Sequence, residues 1–274
     1  MLDKKVIIIG KRSNLSINLK KHIENSVVIK SHDIKKLELL LANNNEICIV
    51  YNSCIKSSEL RLIKDPAIYI NYSISYLSEF IKCCMKYINN ISTILFTSSS
   101  AIYGFNSLAK EDDPYNINSL YASLKISSEL LMEQYLADLN VNIVITRIFN
   151  MYGGNDQFSV ISSIINSIKN DKKFILNNKG ESIRDFIHIV DVCKIYKKIL
   201  DSNFKGKLNI CSGSGVSINN LIYSAEKILD KKLTIIDSKR NEIKISIGST
   251  EKLKKIFGNF EYIPLEKYFL LGKY

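Results

Sequence analysis

Short apolar runs rich in β-branched residues recur along this chain, and amphipathic stretches fill the intervals between them. Lys5-Val6-Ile7-Ile8-Ile9 predicts a first strand, Ser26 to Ile29 a second, Glu46 to Tyr51 a third and Thr93 to Phe96 a fourth. Residues apolar at consecutive positions suit strands buried on both faces, the condition of a parallel sheet. Helical patterns begin at Asn18 to Ile23, run over Tyr72 to Tyr87, and open again at Ser119-Leu120-Tyr121 to about Leu139 before a strand at Val141 to Arg147. This alternation predicts an α/β fold built on a doubly wound parallel sheet. Beyond Gly153 the pattern loosens into a helix at Val160 to Ile168, a strand at Lys173 to Leu176, a helix at Val190 to Leu200, a strand at Leu208 to Cys211 and a helix at Ser217 to Leu229. The expected division is therefore a sheet domain over 1–150 and a small C-terminal lobe over 151–274, with about 185–212 returning to the sheet.

With 274 residues, 46% of them hydrophobic and 24% charged, the chain can bury a sizeable core. No apolar run approaches the ~20 residues a membrane span needs. The N-terminus enters a strand at once, which argues against a signal peptide and predicts a cytoplasmic protein with no membrane partner. Cys48, Cys54, Cys83, Cys84, Cys193 and Cys211 form no Cys-x-x-Cys pair and lie mostly in apolar runs, as buried free thiols do. With only 3 His, no metal site is expected. The net charge of +11 is carried almost wholly by lysines spread along helix faces, not interleaved with aromatics in any one segment. That pattern reads as a solvated surface, so no nucleic-acid partner is expected, although an anionic small molecule would be drawn to it.

The chemistry is concentrated in Phe96-Thr97-Ser98-Ser99-Ser100-Ala101-Ile102-Tyr103-Gly104 and, after a polar loop, Tyr121-Ala122-Ser123-Leu124-Lys125. On a helix, Tyr and Lys at i and i+4 project from one face, and a lysine ammonium near a phenol favours the phenolate. A serine at the end of a buried strand can hold the oxygen that gains or loses the proton. The Tyr/Lys pair alone describes an exposed helix face equally well; the strand and loop before it add the context.

In this order, strand, loop and Tyr/Lys helix resemble the extended short-chain dehydrogenase/reductase family, also called the NAD-dependent epimerase/dehydratase family. The resemblance implies a Rossmann-like fold, with Ser99, Tyr121 and Lys125 as the catalytic residues. It is carried further by Asp65-Pro66-Ala67-Ile68-Tyr69-Ile70-Asn71, by Arg147-Ile148-Phe149-Asn150-Met151-Tyr152-Gly153, and by Gly180 to Val192 with its Arg184-Asp185-Phe186-Ile187-His188 core. Ser99, Ser100, Asn150, Arg184 and Arg240 are the residues it implies for a nucleotide-diphosphate sugar, Arg184 through the fit of a guanidinium fork to phosphate oxygens. Asp185 and Asp191 read as caps and helix starts, and His188 as a structural histidine.

The first strand-to-helix turn departs from the pattern the resemblance implies. Where the family carries Gly-x-x-Gly-x-x-Gly, this chain has Gly10-Lys11-Arg12-Ser13-Asn14-Leu15-Ser16. Ser16 is a small change, but the Cβ of Ser13 falls where backbone must approach phosphate, so it either weakens binding or offers its hydroxyl instead. The resemblance implies that Gly10, Arg12, Ser13, Asn14 and Leu15, with Lys30, Tyr121 and Lys125, hold the dinucleotide. Arg12, and Lys30 in place of the acid expected after the second strand, favour NADP(H) over NAD(H), although Lys30 is equally a surface lysine. Ser100-Ala101 stand where family dehydratases carry an acid pair, which disfavours dehydration. The expectation is reduction of a 4-keto sugar nucleotide, with nucleotide-sugar 4-epimerisation and non-catalytic nucleotide-sugar binding as alternatives. A homodimer formed through the Tyr72 to Tyr87 and Tyr121 to Leu139 helices is also implied.

Overall fold

A computed structural model describes residues 4–52 and 65–271; the predicted buried thiol of Cys54 lies outside them. The main sheet has six strands in the order Gly206–Ile210, Asn142–Ile148, Ile91–Ser99, Ile47–Tyr51, Val6–Ile9, Ser26–Ile29. Val6–Ile9 pairs in parallel with Ser26–Ile29 on one side and Ile47–Tyr51 on the other, and Ile47–Tyr51 pairs in parallel with Ile91–Ser99. Every residue of Val6–Ile9 and of Ile47–Tyr51 is buried, as their unbroken apolar runs require. The sheet's core joins Ile7, Ile9, Ile49, Tyr51, Ile94 and Phe96 to Leu37, Leu41, Leu77, Phe80, Met132 and Leu136 of the helices. This is the Rossmann-like doubly wound architecture that the sequence predicts.

The chain divides into two compact units. The first comprises 1–102, 117–147 and 193–208, and the second 103–116, 148–192 and 209–274. In the second, Gly215–Ser217, Ile183–His188, Ile245–Gly248 and Leu108–Ala109 form one sheet, and Asn150–Tyr152 joins it by pairing in parallel with Ile183–His188. Phe174–Asn177 and Ile235–Ser238 form a separate parallel pair. Their core gathers Tyr152, Ile161, Ile164, Phe174, Leu176, Phe186, Leu221 and Phe269.

Two helices differ from their expected outlines. The first begins at Asn14, four positions before Asn18, because Leu15 and Ser16 are buried along with Asn18 and Leu19. The stretch expected as one helix over Tyr72 to Tyr87 is a π-helical turn Asn71–Ser75 and a helix Tyr76–Lys86, preceded by a short helix Pro66–Ile70. Asn71 starts that turn exposed, with its side-chain oxygen accepting from Ser75 Oγ at 3.1 Å. Among the described residues no helix is long and apolar enough to cross a membrane.

Candidate active site

Strand Ile91–Ser99 carries Ser99 to its carboxyl end. The Ser99 hydroxyl oxygen accepts from the Ala101 amide at 3.2 Å, which leaves its hydrogen to be donated elsewhere. Helix Leu120–Leu136 is started by Ser119, whose side chain accepts from Ala122 N at 3.1 Å. Tyr121 therefore lies in the first turn, half-buried, and Lys125 one turn later, buried at 5% exposure. A buried ammonium needs polar partners. Lys125 Nζ donates to the Thr97 carbonyl at 2.8 Å and lies 5.2 Å from the Phe96 ring centroid. The lysine is thus fastened to the strand two residues before Ser99.

One turn further along the same helix is Glu129, fully buried. It accepts from Arg147 Nε at 3.2 Å, from Arg147 Nη2 at 2.8 Å, and from the Ser98 hydroxyl. Two successive helical turns therefore grip two successive residues of the strand, Thr97 and Ser98, immediately before Ser99. Glu129 carries no motif of its own in the sequence; its spacing of one turn from Lys125 is the only signal that places it on the same face.

At the first strand-to-helix turn, Gly10 has φ +117, a backbone region that an L side chain rarely adopts. The Gly10 and Lys11 amides both donate to Ile29 O, at 3.0 and 3.2 Å, and Ser13 N donates to Gly10 O at 2.9 Å. Ser13 occupies the N-cap position without a side-chain cap bond. Its hydroxyl oxygen instead accepts from Asn52 Nδ2 at 2.7 Å, and Ser16 Oγ accepts from the same nitrogen at 3.0 Å. Lys11, Arg12 and Lys30 are exposed, and the first turn of the helix contains no acid. Asp33, the acid nearest Lys30, is engaged in capping helix Ile34–Ala42 through Lys36 N at 3.3 Å.

In the second unit, Asn150 and Arg184 line one cavity of about 380 Å³ with Phe158, Phe174, Phe186 and Glu242. Arg184 Nη2 lies 3.4 Å from Glu242 Oε2, and Asn150 Nδ2 donates to Asp185 O at 2.9 Å. Burial pushes the Arg184 guanidinium below its usual range, while Glu242 pulls it back up. Arg240 is exposed and does not line this cavity. Asn178 holds its backbone from both sides, donating to Arg240 O at 2.6 Å and accepting from Arg240 N at 3.1 Å, and also donates to Glu242 Oε1 at 3.0 Å.

Asp185 does not act as the helix cap expected of it, whereas Asp191 stands in the first turn of helix Ile189–Leu200, a helix start as expected. Asp185 sits inside strand Ile183–His188 and accepts from Ser212 N, Ser212 Oγ, Gly213 N and Gly248 N at 2.7–3.2 Å. Asp191 Oδ2 accepts from Ile263 N at 2.7 Å. Both carboxylates fasten loops distant in sequence. His188 is fully buried between Tyr152 and Tyr268, and a Cβ at Gly153 would fall 2.4 Å from its Nε2. Among the described residues no group of His, Cys, Asp or Glu is placed to hold a metal ion.

A model of the NAD dependent epimerase/dehydratase family matches residues 2–211. The chain belongs to this family. Within it, the UDP-glucose 4-epimerase of Bacillus subtilis (strain 168) is 23% identical over 254 residues, 82% of this chain and 74% of that protein. The dTDP-4-dehydro-6-deoxyglucose reductase of Escherichia coli is 30% identical over 156 residues, 54% of this chain and 49% of that protein. The chain thus spans about half the length of some curated relatives it matches. A solved UDP-N-acetylglucosamine 4-epimerase from Methanobrevibacter ruminantium M1, in complex with UDP-N-acetylmuramic acid, superposes with a TM-score of 0.84 at 25% identity, covering 98% of this chain and 96% of that one.

The family's dinucleotide finds a fitting turn in this chain. Gly10 supplies the positive φ, the helix beginning at Asn14 supplies first-turn amides that a helix leaves without intrahelical partners, and that first turn carries no acidic residue. Asn52 is the residue that reading the sequence missed. Its only local signal is its place directly after the buried strand Ile47–Tyr51.

Proposed function

We propose that this chain reduces a 4-keto sugar carried on a nucleoside diphosphate. The single observation that carries the proposal is the fastening of Lys125 to Thr97, two residues before Ser99, from the helix that also bears Tyr121. A bound nicotinamide dinucleotide supplies the hydride. Tyr121 gives its phenolic proton to the sugar oxygen as the carbonyl is reduced. Lys125, its ammonium fixed on a carbonyl, stabilises the phenolate left behind. Ser99, with its oxygen already accepting from Ala101, donates to the same sugar oxygen. Arg184 and Arg240 are assigned to the diphosphate, and Asn150 and Ser100 to the nucleotide sugar.

Exposed Arg12 and Lys30, with Asp33 engaged in capping its own helix, support NADP(H) as the dinucleotide, since a 2′-phosphate is held by cations and repelled by carboxylates. Ser100-Ala101, in place of an acid pair, support reduction over loss of water. A second reading, nucleotide-sugar 4-epimerisation, draws its support from the epimerase relative that covers 82% of this chain.

The test is a titration of the purified protein with NAD, NADH, NADP and NADPH, followed by NADPH oxidation across a panel of 4-keto-6-deoxy sugar nucleotides. Selective, reversible NADPH binding with turnover is the expected result. Tightly bound NAD carried through purification, with interconversion of 4-epimers, replaces the reductase with an epimerase. Background NADPH oxidation across the whole panel overturns the proposal.

A further inference from the structure

We infer that Asn52 rebuilds the dinucleotide turn around its two serines, so that Ser13 donates a hydrogen bond to the cofactor's pyrophosphate instead of obstructing it. The inference rests on the reading of Gly10–Leu15 as the dinucleotide turn. The strand order decides the location. Val6–Ile9 has Ser26–Ile29 on one side and Ile47–Tyr51 on the other, so the carboxyl ends of Val6–Ile9 and Ile47–Tyr51 flank the point where the order reverses. Open α/β sheets take their ligands at that point. Gly10 follows the first of these strands and Asn52 the second.

Asn52 is anchored there by its own backbone, whose amide donates to Ile9 O at 2.9 Å. Its side-chain nitrogen carries two hydrogens, and two hydroxyl oxygens stand within reach, Ser13 Oγ at 2.7 Å and Ser16 Oγ at 3.0 Å. A hydroxyl oxygen that accepts from an amide cannot return its hydrogen to that amide. The Ser13 hydrogen is therefore kept for another acceptor. It is not spent on the helix either, because Ser13 makes no side-chain cap bond. A hydroxyl donor thus joins the first-turn amides, in a turn free of acids and bearing exposed Lys11 and Arg12.

The same bond explains Ser16. A hydroxyl buried at 0% exposure where helix meets sheet is costly unless it is hydrogen-bonded, and Asn52 supplies the bond. The two departures from glycine share one partner, so Ser13, Ser16 and Asn52 act as a single device.

The experiment is titration of the full chain and its Ser13→Ala, Ser13→Gly, Asn52→Ala and Ser13→Ala/Asn52→Ala variants with the four nicotinamide dinucleotides, alongside melting curves. Ser13→Ala and Ser13→Gly are expected to weaken binding about tenfold, the scale of one hydrogen bond to a charged group. Asn52→Ala is expected to weaken it at least as much, and the double variant no further than Asn52→Ala alone. Ser13→Gly binding as tightly as the parent, or losses that multiply in the double variant, overturns the inference while leaving the proposed function standing. Should Asn52→Ala not fold, the comparison of Ser13→Gly with the parent decides alone. Failure of the parent to bind any of the four removes the reading of the turn, and the inference with it.

Discussion

Lys125 shows how one side chain links burial to chemistry. Placing an ammonium at 5% exposure is tolerable because the Thr97 carbonyl and the Phe96 ring receive it, and those contacts also fix it one helical turn from Tyr121. Under the proposed mechanism, Tyr121→Phe removes the proton donor and should lower kcat about 10²–10⁴-fold with little change in melting temperature. Steady-state kinetics beside a melting curve checks this, and near-parental turnover would remove Tyr121 from the role. Asp185 is a residue whose identity, more than its shape, matters. Burial pushes its carboxyl up, and the donors from Ser212, Gly213 and Gly248 pull it back down. Asp185→Asn keeps the outline but turns an NH₂ toward backbone N–H groups. We expect a loss of about 2–4 kcal/mol in urea unfolding, from donors left unsatisfied. A variant as stable as the parent would show that these bonds contribute nothing net.

Helix Leu120–Leu136 and strand Ile91–Ser99 work as a pair, joined at successive turns through Lys125–Thr97 and Glu129–Ser98. Arg147, buried at 1% exposure, completes the second junction. Removing one partner strands a buried charge, so Arg147→Met should cost about 3–5 kcal/mol, while Glu129→Leu/Arg147→Met should recover much of the loss. Denaturant melts of the single and double variants measure this; equal losses in both would mean that packing, and not charge, sets the cost. The longer elements were legible because they are periodic. Those whose apolar pattern is interrupted were not. No strand was expected over Ile183–His188, where Arg184, Asp185 and His188 interrupt the hydropathy, yet Asp185 and His188 are fully buried. The π-helical turn Asn71–Ser75 was equally hidden, since one extra residue in a turn barely disturbs an apolar pattern.

At the scale of the whole molecule, the described cysteines behave as their apolar settings predict. The five described thiols are buried, and burial pushes Cys48, Cys84 and Cys211 up and Cys83 up to about 11. A thiol held protonated and out of reach is a poor nucleophile, so at about pH 8 no more than one of the six should react with a disulfide reagent before unfolding. Rapid reaction of two or more in the folded protein would contradict this burial. The sequence by itself determined the strands and main helices of the sheet, its glycine turn, and the alignment of Tyr121 with Lys125. Each of these is written in a local period of two to four residues or in an unbroken apolar run. Tertiary structure alone decided that Asn52 would hold Ser13 from 39 positions away and that Glu242 would meet Arg184 from 58. Such partners are set by which strands lie side by side and where loops close, and no local periodicity encodes either.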